Sequence, residues 1–253
     1  MPAYTKYELE HALKISGAKY VFCEAEDDAL SSISRAMVAS NLVPQEQLLV
    51  LDIRTVQRVA SQSLKSWRTL LHYGESNWLR FNEESTQSAT TAAFFFSSGT
   101  TGLPKAVQIS QRNFIAQHEL LFTPHPRPYD ISIVIAIPLF HIGIGAMTLT
   151  SILKLGGTAV IMRRFELNGF LDVTRLFQIK EMLVVPPIAD AVVKLGETKV
   201  NGRLRSIRYG LIGDAVFGAL LQGGFHKYLG DGTVLGQLLG MAETSCILSV
   251  VLP

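Results

Sequence analysis

Four short apolar runs recur along the second half of the chain, with a segment of helical period between each and the next. The runs cover residues 158–162, 181–185, 207–212 and 234–238; the helical segments between them cover 168–178, 187–195 and 216–229. Apolar runs this short and this continuous suit strands covered on both faces, and helices between successive strands are what parallel pairing requires. The expectation is therefore an α/β fold: layered, largely parallel sheets flanked by helices. The first half follows the same rhythm less regularly. Thr5 and Glu8 form a capping box that opens a helix through about Lys14, ended by Gly17. Strands are expected at 20–23, 47–53 and 91–96, with helices from Asp27/Asp28 and over 63–71. Residues 83–90 read as a polar linker, and a helix is expected from Ser110 to about Phe122.

Charge excludes some functions. The 253 residues carry 23 Lys and Arg against 21 Asp and Glu, a formal net charge of +2, with no long run of one sign. Nucleic-acid binding driven by electrostatics usually needs a clustered basic face, so no nucleic-acid partner is expected. Charged residues make up 17% and hydrophobic ones 48%. The low charge, against a typical ~25%, suggests extensive burial or a surface that something else covers. The two cysteines, Cys23 and Cys246, are far apart and have neither disulfide-framework nor zinc spacing, which suits a reducing compartment. The opening MPAYTKYELEHALK lacks an apolar signal core, and the final Ser249-Val250-Val251-Leu252-Pro253 is not a peroxisomal Ser-Lys-Leu signal. A cytoplasmic location is expected. Residues 131–153 contain no Asp, Glu, Lys or Arg, but Pro138, His141, Gly143 and Gly145 interrupt them. Strand 131–137, loop 138–141 and helix 142–155 fit better than a membrane span.

One segment carries chemistry on its face: Phe96-Ser97-Ser98-Gly99-Thr100-Thr101-Gly102-Leu103-Pro104-Lys105. Glycines let the backbone approach a polyanion, four hydroxyls and bare N–H groups can donate to phosphate oxygens, and Lys105 adds a positive charge. It is no Walker A loop, which needs four residues between its glycines and Lys-Ser/Thr at its end. The reading places it between a strand ending near Ser97 and a helix beginning near Ser110. The chain has no Gly-x-Ser-x-Gly elbow, which excludes the α/β-hydrolase alternative.

Ser-Ser-Gly-Thr-Thr-Gly-Leu-Pro-Lys resembles the signature of adenylate-forming, AMP-binding enzymes, which include acyl-CoA synthetases and 4-coumarate–CoA ligases. Three further segments follow in the family's order. Pro138-Leu139-Phe140-His141 resembles its PxFH segment, Gly213-Asp214-Ala215 its adenine-binding Gly-Ala-Ala/Pro turn, and Gly236-Gln237-Leu238-Leu239-Gly240-Met241-Ala242-Glu243 its GQGYGMTE motif. Pro2-Ala3-Tyr4-Thr5 and Ser16-Gly17-Ala18-Lys19 resemble the 4-coumarate–CoA ligase branch. The resemblance implies that a small-molecule carboxylic acid, aryl or fatty, attacks ATP to give acyl-AMP, and that coenzyme A then takes the acyl group. It implies that Ser97, Ser98, Gly99, Thr100, Thr101, Gly102 and Lys105 hold phosphates. Gly213, Asp214, Ala215, Leu239 and Ala242 would surround the nucleotide, and Glu243 would hold Mg2+. His141, with Lys105, would act at the reacting groups, and His141, Gly143 and Met147 would line the acid site. The small residues Gly143, Gly145 and Ala146 either leave room for the acyl group or allow close helix–sheet packing.

The resemblance also has gaps. Leu239 stands for the family's Tyr, Ala242 for its Thr, and Ala106 for the Gly after the loop Lys, so weakened ATP use is expected. The whole chain, 1–253, is expected to be a partial N-terminal AMP-binding domain. Residues 1–90 would be part of a first sheet subdomain, and 91–253 the phosphate-loop and acyl-pocket subdomain. The ribose-binding Asp and C-terminal lid would be absent. A non-catalytic, ligase-like remnant that binds nucleotide or a partner is the alternative. On either reading His141, Gly213 and Glu243 should meet the loop at the carboxyl ends of parallel strands.

Overall fold

The structure, a computed structural model, describes residues 5–24, 42–51, 65–97, 102–121, 123 and 126–251, without the side chains of Glu24 and of residues 146–149. The helix expected from Asp27/Asp28 lies outside them. The chain divides into two compact units, residues 1–81 with 96–106, and residues 82–95 with 107–253.

The first unit opens with helix α1, Lys6–Ser16. Thr5 Oγ1 accepts from the Glu8 N–H, and the Glu8 carboxylate accepts in return from the Thr5 N–H at 2.7 Å. Gly17, at φ +62°, closes the helix in the left-handed region. Strands β1 (Val21–Glu24), β2 (Leu48–Leu51) and β3 (Lys65–Ser66) form a parallel sheet in that order. Cys23, Leu48 and Val50 are its buried core. The helix expected over 63–71 is instead the short strand β3 followed by a 3-10 helix, Trp67–Tyr73. Ser66 holds that turn by accepting from the Arg68 N–H at 3.1 Å.

The hairpin β4 (Thr91–Ser97) and β5 (Lys105–Ser110) forms a sheet of two strands. Strand β5 corrects the expectation that the Ser/Gly/Thr loop runs straight into a helix. Val107 and Ile109, two residues apart, turn inward to the apolar core, and only then does α3 begin. The polar linker expected at 83–90 is a short helix, α2 (Glu84–Ala89), whose Glu84 pairs with Arg112 of α3 (Gln111–Leu121). With no buried residue, α2 has no apolar period to read.

The rest of the second unit is a six-stranded sheet. In chain order its strands are β6 (Ser132–Ile135), β7 (Thr158–Ile161), β8 (Glu181–Val184), β9 (Tyr209–Ile212), β10 (Val234–Met241) and β11 (Cys246–Val251). In space they run β11-β10-β9-β8-β6-β7, parallel except for β11 against β10. Helices α4 (Ile142–Leu155), α5 (Leu167–Leu176), α6 (Pro186–Leu195), α7 (Glu197–Val200) and α8 (Ala219–His226) supply the connections. Side chains on a strand alternate between faces, and the two buried clusters divide accordingly. Val134, Met182, Val184 and Ile212 meet Phe170 of α5, Ile188 of α6 and Phe225 of α8. Ile133, Ile135, Leu183 and Leu211 meet Ile144 and Ile152 of α4 and Ile247 of β11. Phe170 and Phe225 are fully buried, each contributing about 1.5–3 kcal/mol relative to exposure. Strand β11 and helix α7 carry no counterpart in the sequence reading. Among the described residues no helix is long and apolar enough to cross a membrane.

Candidate functional site

Parallel register brings one end of the sheet to a common level. Val184 of β8 pairs with Ile212 of β9, and Ile212 with Gln237 of β10. The turn that begins at Gly213, the far half of β10 and the Met241–Cys246 corner therefore extend beyond the same carboxyl edge. The segment after β6 leads to His141 at that edge too, where the contacts below fix it. Open α/β sheets bind ligands there.

His141 is the N-cap of α4, and its Nδ1 accepts from the Gly143 N–H at 3.3 Å. Its Nε2 lies 3.4 Å from Asp214 Oδ2. Both side chains are about half exposed, 41% and 52%. Asp214 has φ +74°, a left-handed conformation that Asp tolerates better than most residues. Gly213 before it is buried, and a Cβ there would lie 2.5 Å from Leu238 Cδ1 of β10. The missing side chain at Gly213 thus lets the turn pack on β10. Ala215 is exposed.

The corner between β10 and β11 is strained. Ser245 and Cys246 have φ +64° and +119°, and the buried Ser245 hydroxyl has no partner among the described residues. Burial, with a smaller push from the Asp214 carboxylate, raises the Cys246 thiol to about 12, so it stays protonated at neutral pH. Glu243 is exposed in a 3-10 turn, Ala242–Thr244. Ala242, expected beside the nucleotide, is buried at 8% exposure in the cluster with Ile144 and Cys246, while Leu239 is 64% exposed. Among the described residues no group of three or more His, Cys, Asp and Glu could hold a metal ion. Glu243 would hold Mg2+ only as one carboxylate beside ligand oxygens, an arrangement this cation favours.

At Gly145 the absent side chain lets α4 pack closely on its neighbours. A Cβ there would lie 2.5 Å from the Leu139 carbonyl oxygen and 3.1 Å from the Phe95 ring. Gly143 serves through its N–H to His141. Met147 lies within α4, and its side chain is outside those described.

The Ser/Gly/Thr loop belongs to the first unit. Ser97 ends β4; Ser98, Gly99, Thr100 and Thr101 lie outside the described residues. Gly102 has φ +145°, and nothing among the described residues lies within 4 Å of a Cβ built on it, so its backbone conformation favours glycine there. Lys105 is exposed. The Pro104 carbonyl before it accepts from His11 Nε2 of α1 at 3.0 Å. Sequence reasoning missed His11, and it missed the Asp214–His141 pair. Both contacts join residues distant along the chain, and no local pattern announces either.

The fold is a layered α/β fold with a largely parallel sheet, and the chain carries a hydroxyl- and glycine-rich loop between β4 and β5. The AMP-binding enzyme family matches residues 1–253, and the chain belongs to that family. It is similar to the phenylacetyl-CoA ligase epaB of Aspergillus niger, 33% identical over 253 residues, which cover 99% of this chain and 46% of that protein. It is equally similar to the acyl-CoA ligase azaF of Aspergillus niger, 33% identical over 99% of this chain and 47% of that protein. The chain thus spans under half the length of these curated relatives. The fold is shared with O-succinylbenzoate coenzyme A synthetase (MenE) of Bacillus subtilis, solved with ATP and magnesium: TM-score 0.72, 19% identity, 98% of this chain and 45% of that one.

Proposed function

We propose that this chain binds ATP·Mg2+ and a small carboxylic acid and serves the activation of that acid to acyl-AMP for transfer to coenzyme A. The observation that carries the reading is the meeting of His141 and the 213–215 turn at the carboxyl edge of the parallel sheet. Family membership and the intact Ser-Ser-Gly-Thr-Thr-Gly-Leu-Pro-Lys segment support it. The relatives' names favour an aryl or other acyl acid.

In this reading the acid's carboxylate takes a hydrogen bond from the imidazole of His141 and is held for attack on the α-phosphate. The loop's hydroxyls and backbone N–H groups receive the departing pyrophosphate, and Lys105 offsets its charge. Such donors count most where negative charge develops in the transition state. Glu243 would hold Mg2+, which supplies further charge neutralisation. Residues 1–90 and 91–253 would serve as the two subdomains of a nucleotide- and acid-binding region, in a cytoplasmic protein.

A second reading, binding without turnover, draws on Ala242. Its methyl group is part of the core, so this position offers a nucleotide no hydroxyl. Two measurements separate the readings. Calorimetric titration should show ATP·Mg2+ binding that weakens in Lys105→Ala. ATP–pyrophosphate exchange with a panel of aryl and fatty acids then tests turnover: acid-dependent exchange supports the enzyme, and binding without exchange the non-catalytic form. A folded chain that takes up no ATP would sink both.

A further inference from the structure

His141 has a polar neighbour at each ring nitrogen. Nδ1 accepts from the Gly143 N–H, so the proton of the neutral ring sits on Nε2. Nε2 faces Asp214 Oδ2 at 3.4 Å. The contact is at ion-pair distance; among the described residues Asp214 has no hydrogen bond and no other ion pair, and its side chain is half exposed. The turn that 213–215 resembles has Ala at this place, and Ala could make no such contact.

We propose that Asp214 competes with the substrate's carboxylate for the Nε2–H of His141, so that the chain carries its own occupant of the acid site. This rests on the reading of His141 as the group that faces the acid. A neutral imidazole with one N–H cannot serve two carboxylates at once, and two like charges at one imidazole repel. An incoming acid must therefore displace Asp214, and its affinity falls by the free energy of that contact. Asp214 also sets specificity, because an acid with a second negative group near its carboxyl end meets the displaced carboxylate as well.

The test uses the whole 253-residue chain and phenylacetate as the probe, with Asp214→Gly, Asp214→Asn, His141→Ala and the His141→Ala/Asp214→Gly double variant. Glycine suits the left-handed backbone at 214, so Asp214→Gly should stay folded, which a thermal melt checks. Phenylacetate should bind roughly tenfold more tightly to Asp214→Gly than to the unmodified chain. Asp214→Asn, uncharged but still an acceptor, should fall between them. The gain should vanish in the double variant relative to His141→Ala. Nitrogen NMR of the His141 ring gives a readout independent of any acid: the Nε2–H signal should move in Asp214→Gly. Equal phenylacetate affinity in the unmodified chain and Asp214→Gly overturns the proposal, and so does a gain that persists without His141. If those variants still bind ATP·Mg2+, the nucleotide reading survives that result. If neither ATP·Mg2+ nor phenylacetate binds any variant, the functional reading falls, and an unmoved His141 signal removes the pairing itself.

Discussion

A methyl group added at Gly213 would meet Leu238 at 2.5 Å from Cδ1 and 2.8 Å from Cγ. Moving the branch point of a packed leucine disturbs β10 as well as the side chain, so Gly213→Ala should destabilise the protein by about 1–3 kcal/mol. Urea denaturation checks this: an unchanged midpoint would mean that Leu238 has room to give way. Glu166 offers a residue-scale test of charge. Its carboxylate caps α5 by accepting from the N–H groups of Asn168 and Gly169, and those bonds hold it below its ordinary 4.5. A carboxylate lowered on folding contributes stability above its ordinary value and loses it as pH falls through the lowered one. Melting temperatures of the unmodified chain and Glu166→Gln should therefore differ near neutral pH and converge in acid. A gap that stays constant down to about pH 3 would refute that origin. Residue roles were legible where the signal is local. Thr5 and Glu8 sit one turn apart, and their reciprocal bonds are as the spacing required. Asp214 and His141 meet only because β6 and β9 lie in one parallel sheet, and that information is in the topology.

The hairpin β4/β5 shows what periodicity conveys at the scale of an element and what it does not. Strand β4 was plain from its continuous apolar run. The neighbouring β5 carries only a brief alternation, Val107 and Ile109 inward, and the polar start of α3 follows at once, so the strand merged with its neighbours in the reading. The consequence is chemical. Lys105 sits at the first residue of a strand, and α3 begins only at Gln111, so the first turn of α3 does not hold it. What holds this stretch is a contact from another element: His11, on α1, donates to the Pro104 carbonyl at 3.0 Å. Deleting it removes a bond worth about 1 kcal/mol from the segment that follows Gly102. His11→Ala should therefore speed amide exchange at residues 102–106 several-fold while leaving global stability nearly unchanged. His11→Gln, which keeps an N–H donor, should restore part of the protection. Equal exchange in all three proteins would show that the contact does not order the segment.

Across the second unit, the two ends of the six-stranded sheet differ in character, and the proposed division of binding from stability can be measured. The carboxyl edge holds half-exposed polar groups, a strained corner and a carboxylate in a left-handed turn. At the amino edge, half-buried Arg127, Tyr129 and Tyr209 surround the buried Glu181. Arg127 Nε donates to Glu181 Oε1 at 2.7 Å, the Tyr129 hydroxyl donates to the same oxygen at 3.1 Å, and the Arg127 guanidinium lies 4.1 Å above the Tyr209 ring. Glu181 and Tyr209 are the first residues of β8 and β9, so this one carboxylate anchors two adjacent strands and the segment leading to β6. Burial and the Glu181 charge push the Tyr129 phenol upward, which keeps it a neutral donor. Removing one charge from such a buried set leaves the other without its counter-ion, and such losses run to about 3 kcal/mol or more. Glu181→Gln should therefore lower stability by about that amount. It should leave ATP·Mg2+ binding by the folded protein unchanged, because the cluster is at the opposite end of the strands from His141 and Asp214. Asp214→Asn should do the reverse. Asparagine accepts the same backbone conformation, and an exposed substitution of this kind stays within about 0.5 kcal/mol, while ligand affinity moves. Paired denaturation and titration of the two variants test the division together. If Glu181→Gln impairs binding as strongly as stability, or Asp214→Asn unfolds the chain without touching affinity, then the carboxyl edge is not where this molecule meets its ligands.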